Sequence, residues 1–340
     1  MMRQLGRTIY INSPFAYIMK EGDDLKITEK REEVGRFPIR NLENVVTFTA
    51  AGITPEAMRL CIDNGVGIAI MSPRGRFIAS VNGQPEGNVL LRRTQYRIAD
   101  DEEKSLKFSR NMILGKIGNG RRMLLQSGKY NYAAKSEITE AAESMKGSME
   151  AVLTVNSADT LRGLEGDAAR VYFGVLGKLV TRNPEQFNFE GRNRRPPRDR
   201  MNALLSFTYA VAGNEVRSAL AAVGLDPYVG FMHTDRPGRA SLALDVLEEL
   251  RPAVDRFVLT LVNRLEIGPD DFSECEDGAV MMTEEGRKKL LTKWEQWRQE
   301  VIVHPFTKES MERGLVPLMQ ARLLASSLRG DLNGYPPFMM

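Results

Sequence analysis

The chain has two cysteines, Cys61 and Cys275, too few for a disulfide framework and without zinc-ligand spacing. That usage fits a reducing compartment. Histidine is as scarce, with His233 and His304, so any chemistry needing an imidazole has two candidates. No apolar stretch approaches the roughly 18 residues of a membrane helix. The start, MMRQLGRTIYINSP, lacks the apolar run of a signal peptide. These absences predict a cytoplasmic protein with no membrane partner. A dominant charge is missing too: 47 Lys+Arg against 44 Asp+Glu leave +3, which neither demands nor excludes nucleic acid. Where the charge lies decides that question. No repeat recurs at a fixed period. What is present is ordinary globular composition, 42% hydrophobic and 27% charged, over 340 residues. That length suggests about two domains.

The first eighty-odd residues read as strands. Arg7–Asn12 (RTIYIN) is β-branched and aromatic, and residues 16–30 alternate around Gly22-Asp23-Asp24 in a hairpin pattern. Residues 33–39, 44–50, 67–71 and 76–81 are further strands. Thr54-Pro55 and Gly65 bracket one helix. A turn-rich linker follows at 82–88 (NGQPEGN). Helical patterning then runs near 90–126, 132–155, 157–180, 200–223, 241–266 and 283–301, with a shorter helix after Thr307. The expectation is an α+β chain: a β-rich domain at 1–86, a larger all-α domain at 87–327, and an extended tail at 328–340. The end of the tail, Gly334–Met340, is expected to be disordered without a partner.

In the 157–180 helix, Leu161, Leu164, Ala168, Tyr172, Val175 and Leu179 share one face, and Glu165 lies within about 40° of its centre. An ionised carboxylate in apolar surroundings costs several kcal/mol unless paired or coordinated. Glu165 is therefore either in an ion pair with an arginine such as Arg170 or Arg251, or a metal-binding or catalytic group.

Further along, His233 opens a turn holding Asp235, Pro237 and Gly238, flanked by Arg236 and Arg239. A helix starts near Ser241, and Asp245 and Glu248, three apart, project from one side of it. Neither belongs to the stripe of Leu247, Leu250, Val254, Val258 and Leu261. Taken singly, such a histidine is an ordinary turn residue and such acids a solvated face. Together, one imidazole and two or three carboxylates form a hard ligand set, suited to Mn²⁺ or Mg²⁺ rather than zinc. Open coordination positions on such an ion serve phosphodiester chemistry.

The connector 181–200 (TRNPEQFNFEGRNRRPPRDR) crowds Arg192, Arg194, Arg195, Arg198 and Arg200 into a Pro-containing stretch. Guanidiniums in such a cluster bind phosphate bidentately. It is either a solvated loop or a phosphate-facing element, and its neighbours in sequence favour the latter. Phe187 and Phe189 either stack on a base or anchor the loop in the core; the core is the simpler place.

These residues resemble a known family, the CRISPR-associated integrase that inserts new spacers, the first and near-universal CRISPR-associated protein. The resemblance is carried by LEGDAARVYF at 164–173, GRNRRPPRDRMNALLSF at 191–207 and GFMHTDRPGRASLALDVLEELRP at 230–252, with VGRFPI at 34–39 and SPRGRF at 72–77. These motifs are most similar to the subtype I-C version. The resemblance implies a β-domain joined to a larger α-helical catalytic domain. It implies homodimers formed through the N-terminal domains, assembled with the small second CRISPR-associated protein. It further implies metal-dependent DNA cutting and insertion of a pre-spacer duplex into the CRISPR repeat by attack of its 3′-hydroxyl. By the resemblance, Glu165, His233 and Glu248 are the ligands of Mn²⁺ or Mg²⁺, and Asp245 is an alternate ligand or orients His233 or water. Arg236 and Arg239 then join the connector arginines in DNA contact, and no covalent nucleophile is needed. Two rivals stand beside this reading. One is a non-catalytic DNA-binding scaffold of the same complex, with Glu165 tied up in a salt bridge. The other is a metal hydrolase of small phosphoesters, which would offer a deep apolar pocket.

Overall fold

The computed structural model describes residues 6–49, 51–81 and 89–340. The linker expected at 82–88 lies outside the described residues. The chain divides into two compact units. The first comprises 1–86, 283–301 and 312–315, and the second 87–282, 302–311 and 316–340.

The first unit is built on two four-stranded sheets. One runs β1 (Arg7–Ile11), β5 (Leu42–Thr47), β7 (Gly67–Met71) and β8 (Phe77–Val81), with β1, β5 and β7 parallel and β8 antiparallel. The other runs β4 (Glu32–Pro38), β3 (Asp24–Glu29), β2 (Ala16–Glu21) and β6 (Gly52–Ile53). Gly22 adopts a φ of 63° in the β2–β3 turn, the left-handed conformation a tight hairpin needs. Helix α1 (Pro55–Asp63) starts where Thr54 accepts a hydrogen bond from the Ala57 N–H at 3.1 Å. Ile18, Leu25, Val45, Ala57, Cys61 and Ile68 are among the residues of the core between these elements. Burial pushes the Cys61 thiol up to about 11, which leaves it protonated and inert.

A chain segment from far away completes this unit. Helix α8 (Glu284–Arg298) belongs here, not to the helical domain expected for 87–327. The cause is visible at Arg298, which is 2% exposed. Its guanidinium donates to Thr8 at 3.0 Å, Glu43 at 3.2 Å and Glu295 at 2.7 Å. A buried arginine is tolerable only with such partners. Thr8 is 290 residues away in sequence, beyond the reach of local patterning.

The second unit is helical: α2 (Val89–Ala99), α3 (Glu102–Ser127), α4 (Lys135–Thr154), α5 (Ala158–Leu176), α6 (Arg200–Ala222), α7 (Ser241–Asn263) and α9 (Val316–Arg329). A short hairpin, β9 (Phe272–Glu274) with β10 (Val280–Met282), departs from the all-helical pattern. So does the break between α2 and α3, where Asp101 accepts from the Lys104 N–H at 3.0 Å and restarts the helix. Helix α7 is central. It packs on α3 and α6 and is buried around most of its circumference. Gly115 of α3 permits the close approach: a Cβ there would sit 3.0 Å from the Glu249 Cβ.

The C-terminal tail also differs from expectation. Tyr335 and Phe338 are buried, and Phe338 donates its N–H to Glu249 at 3.1 Å. Two aromatic side chains and a string of backbone partners give this short segment enough buried surface to order within the helical unit. Among the described residues, no helix is long and apolar enough to cross a membrane.

Candidate active site

Three helices and one turn deliver the site. Glu165 comes from α5, Glu248 from α7 and His233 from the turn before α7. All three line one cavity of about 250 Å³ in the helical unit. Lys116 of α3, Arg192, Arg194, Arg195 and Arg251 line it as well. The position of Glu165 beside the apolar stripe is the cause of its inward aim, since burial of Leu161, Ala168 and Tyr172 turns that face of α5 inward.

Asp245 and Glu248 are not on a solvated face. Asp245 is fully buried and Glu248 is 5% exposed. The histidine turn covers Asp245, and α3, through Lys116, lies against Glu248. Asp245 spends its carboxylate on the turn. It accepts from the N–H groups of Phe231 at 2.6 Å, Met232 at 3.0 Å and His233 at 3.0 Å, and lies 2.6 Å from His233 Nδ1. Nδ1–H donation to that carboxylate leaves Nε2 as the free acceptor of the imidazole. Gly230 is required beneath the turn, because a Cβ there would meet Asp245 Oδ2 and Ser241 at 2.8 Å.

The counter-ion of Glu165 is Lys116, not Arg170 or Arg251 as expected. The same ammonium lies 2.6 Å from Glu248 Oε2, and Arg251 donates to Glu248 Oε1 at 2.9 Å. Burial raises the Glu248 carboxyl, but the adjacent Arg251 and Lys116 charges outweigh it and hold the group down to about 2. Lys116 is legible by the argument that finds Glu165. It sits between buried Ile113 and Gly120 on α3, where a surface lysine does not belong.

Behind Arg251 lies a buried network. The Arg251 guanidinium stacks 4.5 Å from the Tyr209 ring, and Arg192 covers it at 5.4 Å. The hydroxyls of Tyr209 and Tyr172 both donate to Asp255, the latter at 2.7 Å. Burial pushes the Asp255 carboxyl up to about 6, against the lowering effect of the two tyrosines. Its folded-state value is thus above its unfolded one. Protonated Asp255 therefore adds stability that is full below about pH 4 and lost as pH rises through about 6. A shift of that size corresponds to about 3 kcal/mol. We expect wild type to lose that much more stability than Asp255→Asn between pH 4 and pH 7, measured by urea unfolding at each pH. Equal slopes would show that Asp255 does not titrate there.

The connector arginines divide into two groups. Arg192 is committed to the fold: it donates to Asn202 Oδ1 at 2.6 Å and Ser206 at 3.0 Å. Arg200 donates to the Gln186 carbonyl at 3.0 Å, and Arg198 to the Asp277 carbonyl. Arg239 is bound to Thr234 and Ser241 in the histidine turn. Arg194 and Arg195 are exposed and, among the described residues, their side chains carry no hydrogen bond or ion pair; the same holds for the side chain of Arg236. Phe187 and Phe189 are buried, so they anchor the connector in the core.

Among the described residues, no three His, Cys, Asp or Glu groups converge as a metal ion requires. The chemistry of the donors nevertheless fits a hard divalent ion: two carboxylates and an imidazole. Glu248 Oε2 is a buried carboxylate oxygen whose neighbour is the Lys116 ammonium.

Two β-sheets with α1 and α8, and a helical unit with a carboxylate–imidazole cavity, define an α+β protein of two compact units. The family model for "CRISPR associated protein Cas1" matches residues 9–296, and the chain belongs to that family. A CRISPR-associated endonuclease Cas1 from Chlorobaculum tepidum is 41% identical over 342 residues, covering 99% of each chain. Of solved structures, a casposase bound to integration product matches with a TM-score of 0.85 at 22% identity, over 97% of this chain and 93% of that one. A CAS1 protein from Thermotoga maritima matches at 0.81 and 21%, over 98% and 99%. At that identity the likeness is one of fold.

Proposed function

We propose that this chain is a metal-dependent DNA endonuclease and integrase of CRISPR adaptation, of the subtype I-C kind. In this reading it works as a homodimer with the small second CRISPR-associated protein. The observation that carries it is the gathering of Glu165, His233 and Glu248 in one cavity whose rim bears the unpartnered Arg194 and Arg195. The curated relative from Chlorobaculum tepidum is named an endonuclease, which supports the hydrolytic half.

Glu165, Glu248 and His233 Nε2 would hold Mn²⁺ or Mg²⁺. Bound there, such an ion supplies Lewis-acid polarisation of a phosphoryl oxygen and a more acidic attacking hydroxyl or water. The rest falls to the chain itself. Asp245 fixes the imidazole so that Nε2 faces the cavity. Arg251, stacked on Tyr209, fixes Glu248 from its other oxygen. Arg194 and Arg195 seat the phosphates on either side of the scissile bond, and Arg236 extends that basic edge. The displacement at phosphorus is in line, with a DNA 3′-hydroxyl or water as nucleophile, and needs no covalent intermediate.

A second reading has an observation of its own. The Glu165–Lys116 ion pair is what a non-catalytic DNA-binding scaffold of the same complex would show. One experiment separates the two. A labelled short duplex is incubated with a supercoiled plasmid carrying a repeat, with the small partner protein, in Mn²⁺ or EDTA. The integrase reading expects joined product in Mn²⁺ and none in EDTA. Arg194→Ala/Arg195→Ala is expected to weaken DNA binding and to flatten its salt dependence by about two units of slope, one for each phosphate left without its guanidinium. DNA binding with no joining or cutting in any divalent metal would establish the scaffold.

A further inference from the structure

We propose that Lys116 is the resident counter-ion of the site, a positioning residue that holds Glu165 and Glu248 in register until a divalent cation displaces its ammonium. This rests on the metal-site reading above and adds to it the group with which the ion must compete.

The argument starts from three helices. Lys116, Glu165 and Glu248 belong to α3, α5 and α7, so no local helix geometry forces them together. The ammonium pairs with both carboxylates at once, within 2.6 Å of Glu248 Oε2. Those side chains are 17%, 23% and 7% exposed. Two carboxylates facing one another, one buried and one half-buried, repel, and a cation between them is what keeps both charged. The ammonium thus does electrostatically what a divalent ion would do.

The cations around Glu248 are not equivalent. Arg251 hydrogen-bonds Oε1 at 2.9 Å and is clamped on the Tyr209 ring. Lys116 meets Oε2 at 2.6 Å, and no ring clamps its stem among the described residues. A lysine is a point charge on a flexible four-carbon stem, whereas a stacked, forked guanidinium is held in place. Of the two, Lys116 is the one that can leave. When it does, it frees one oxygen of each carboxylate, next to His233 in the same cavity. The released ammonium stays on the cavity wall that Arg194 and Arg195 share, positioned for substrate phosphate.

Competition of this kind reduces apparent metal affinity by the fraction of molecules in which the site is open. The test is calorimetric titration of Mn²⁺ into metal-free full-length protein, without DNA, for wild type, Lys116→Met, Lys116→Arg and Glu165→Gln. Lys116→Met is expected to bind Mn²⁺ roughly tenfold tighter than wild type, and Lys116→Arg more weakly than wild type. Melting in EDTA is expected to be lower for Lys116→Met than for wild type, with the gap closed by saturating Mn²⁺. A lysine with only a structural role would lower melting in both conditions and leave Mn²⁺ affinity where it was. Unchanged or weaker affinity in Lys116→Met, with Glu165→Gln abolishing binding, would overturn the Lys116 proposal alone. If Lys116→Met does not fold, Lys116→Arg decides, and wild-type affinity there overturns it. No Mn²⁺ binding in any of the proteins, or binding that Glu165→Gln leaves intact, would overturn the metal-site reading together with this proposal.

Discussion

Glu248→Gln is expected to abolish strand joining and cutting while DNA binding survives. Glu248 is the one carboxylate of the site reached by two cations, Lys116 on Oε2 and Arg251 on Oε1. An amide keeps the size of the side chain but not its charge. The site then loses an anionic donor for a divalent ion, and Arg251 loses its charge partner in a buried setting. Loss of a partner that merely orients a ligand costs roughly 10–100-fold in affinity or activity, so loss of a direct ligand should exceed about 100-fold. Asp245→Asn should fall within that 10–100-fold range. Its role is to accept from the His233 ring and from three successive backbone N–H groups, which an amide oxygen can do only in part. The measurement is initial joining rate in saturating Mn²⁺, with circular dichroism to confirm the fold and a filter-binding isotherm to confirm DNA binding. A folded Glu248→Gln protein that joins DNA at the wild-type rate would remove Glu248 from the site.

A good part of this is legible in the sequence. The β-rich start, the hairpin at Gly22 and the helices carrying Glu165 and Glu248 follow from local periodicity and turn chemistry, which are properties of neighbouring residues. Glu165 stands out because a carboxylate beside an apolar stripe is costly, and the cost is written in the spacing. Its partner is a lysine rather than one of the expected arginines because partner choice is a tertiary matter: Lys116 is forty-nine residues away, on another helix. Taken singly, Asp245 and Glu248 read as a solvated flank because a helix with one apolar stripe is normally covered on one side only; only beside His233 do they read as a ligand set. The structure covers α7 on several sides, and the tail that helps to do so lies some ninety residues downstream. Similarly, α8 reads as one more helix of the helical domain. Only the buried Arg298, bound to Thr8 and Glu43, reveals that it completes the β-rich unit. The connector arginines all read as DNA contacts from their clustering and their neighbours in sequence. Clustering cannot tell Arg192, whose donors are consumed inside the fold, from Arg194 and Arg195, whose donors are not.

Removing the tail's anchor should cost the helical unit much of its stability. Glu249, adjacent to Glu248 on α7, is fully buried and faces away from the cavity into the tail. Its carboxyl accepts from the Tyr335 hydroxyl at 2.5 Å, Gln320 Nε2 at 2.8 Å and the Phe338 N–H at 3.1 Å. Gln320 is itself held by His304 at 3.0 Å, and Asn119 of α3 donates to the Phe338 carbonyl at 2.7 Å. Burial pushes the Glu249 carboxyl up to about 7, against the lowering effect of those donors. Loss of a donor therefore leaves a desolvated acid with fewer partners. Tyr335→Ala removes a buried aromatic ring as well as a hydroxyl, and is expected to cost about 3–5 kcal/mol. Tyr335→Phe keeps the ring and removes only the hydrogen bond, at about 1–3 kcal/mol. Two units need not unfold together, so the reading to make is hydrogen exchange at α7 and α3 amides rather than a single melting point. Faster exchange confined to these helices, larger for Tyr335→Ala than for Tyr335→Phe, is the expected result. Since α7 carries Glu248 one residue away, joining should fall with it even though the tail does not line the cavity. Wild-type protection at α7 in Tyr335→Ala would mean that the tail rests on the helix without holding it.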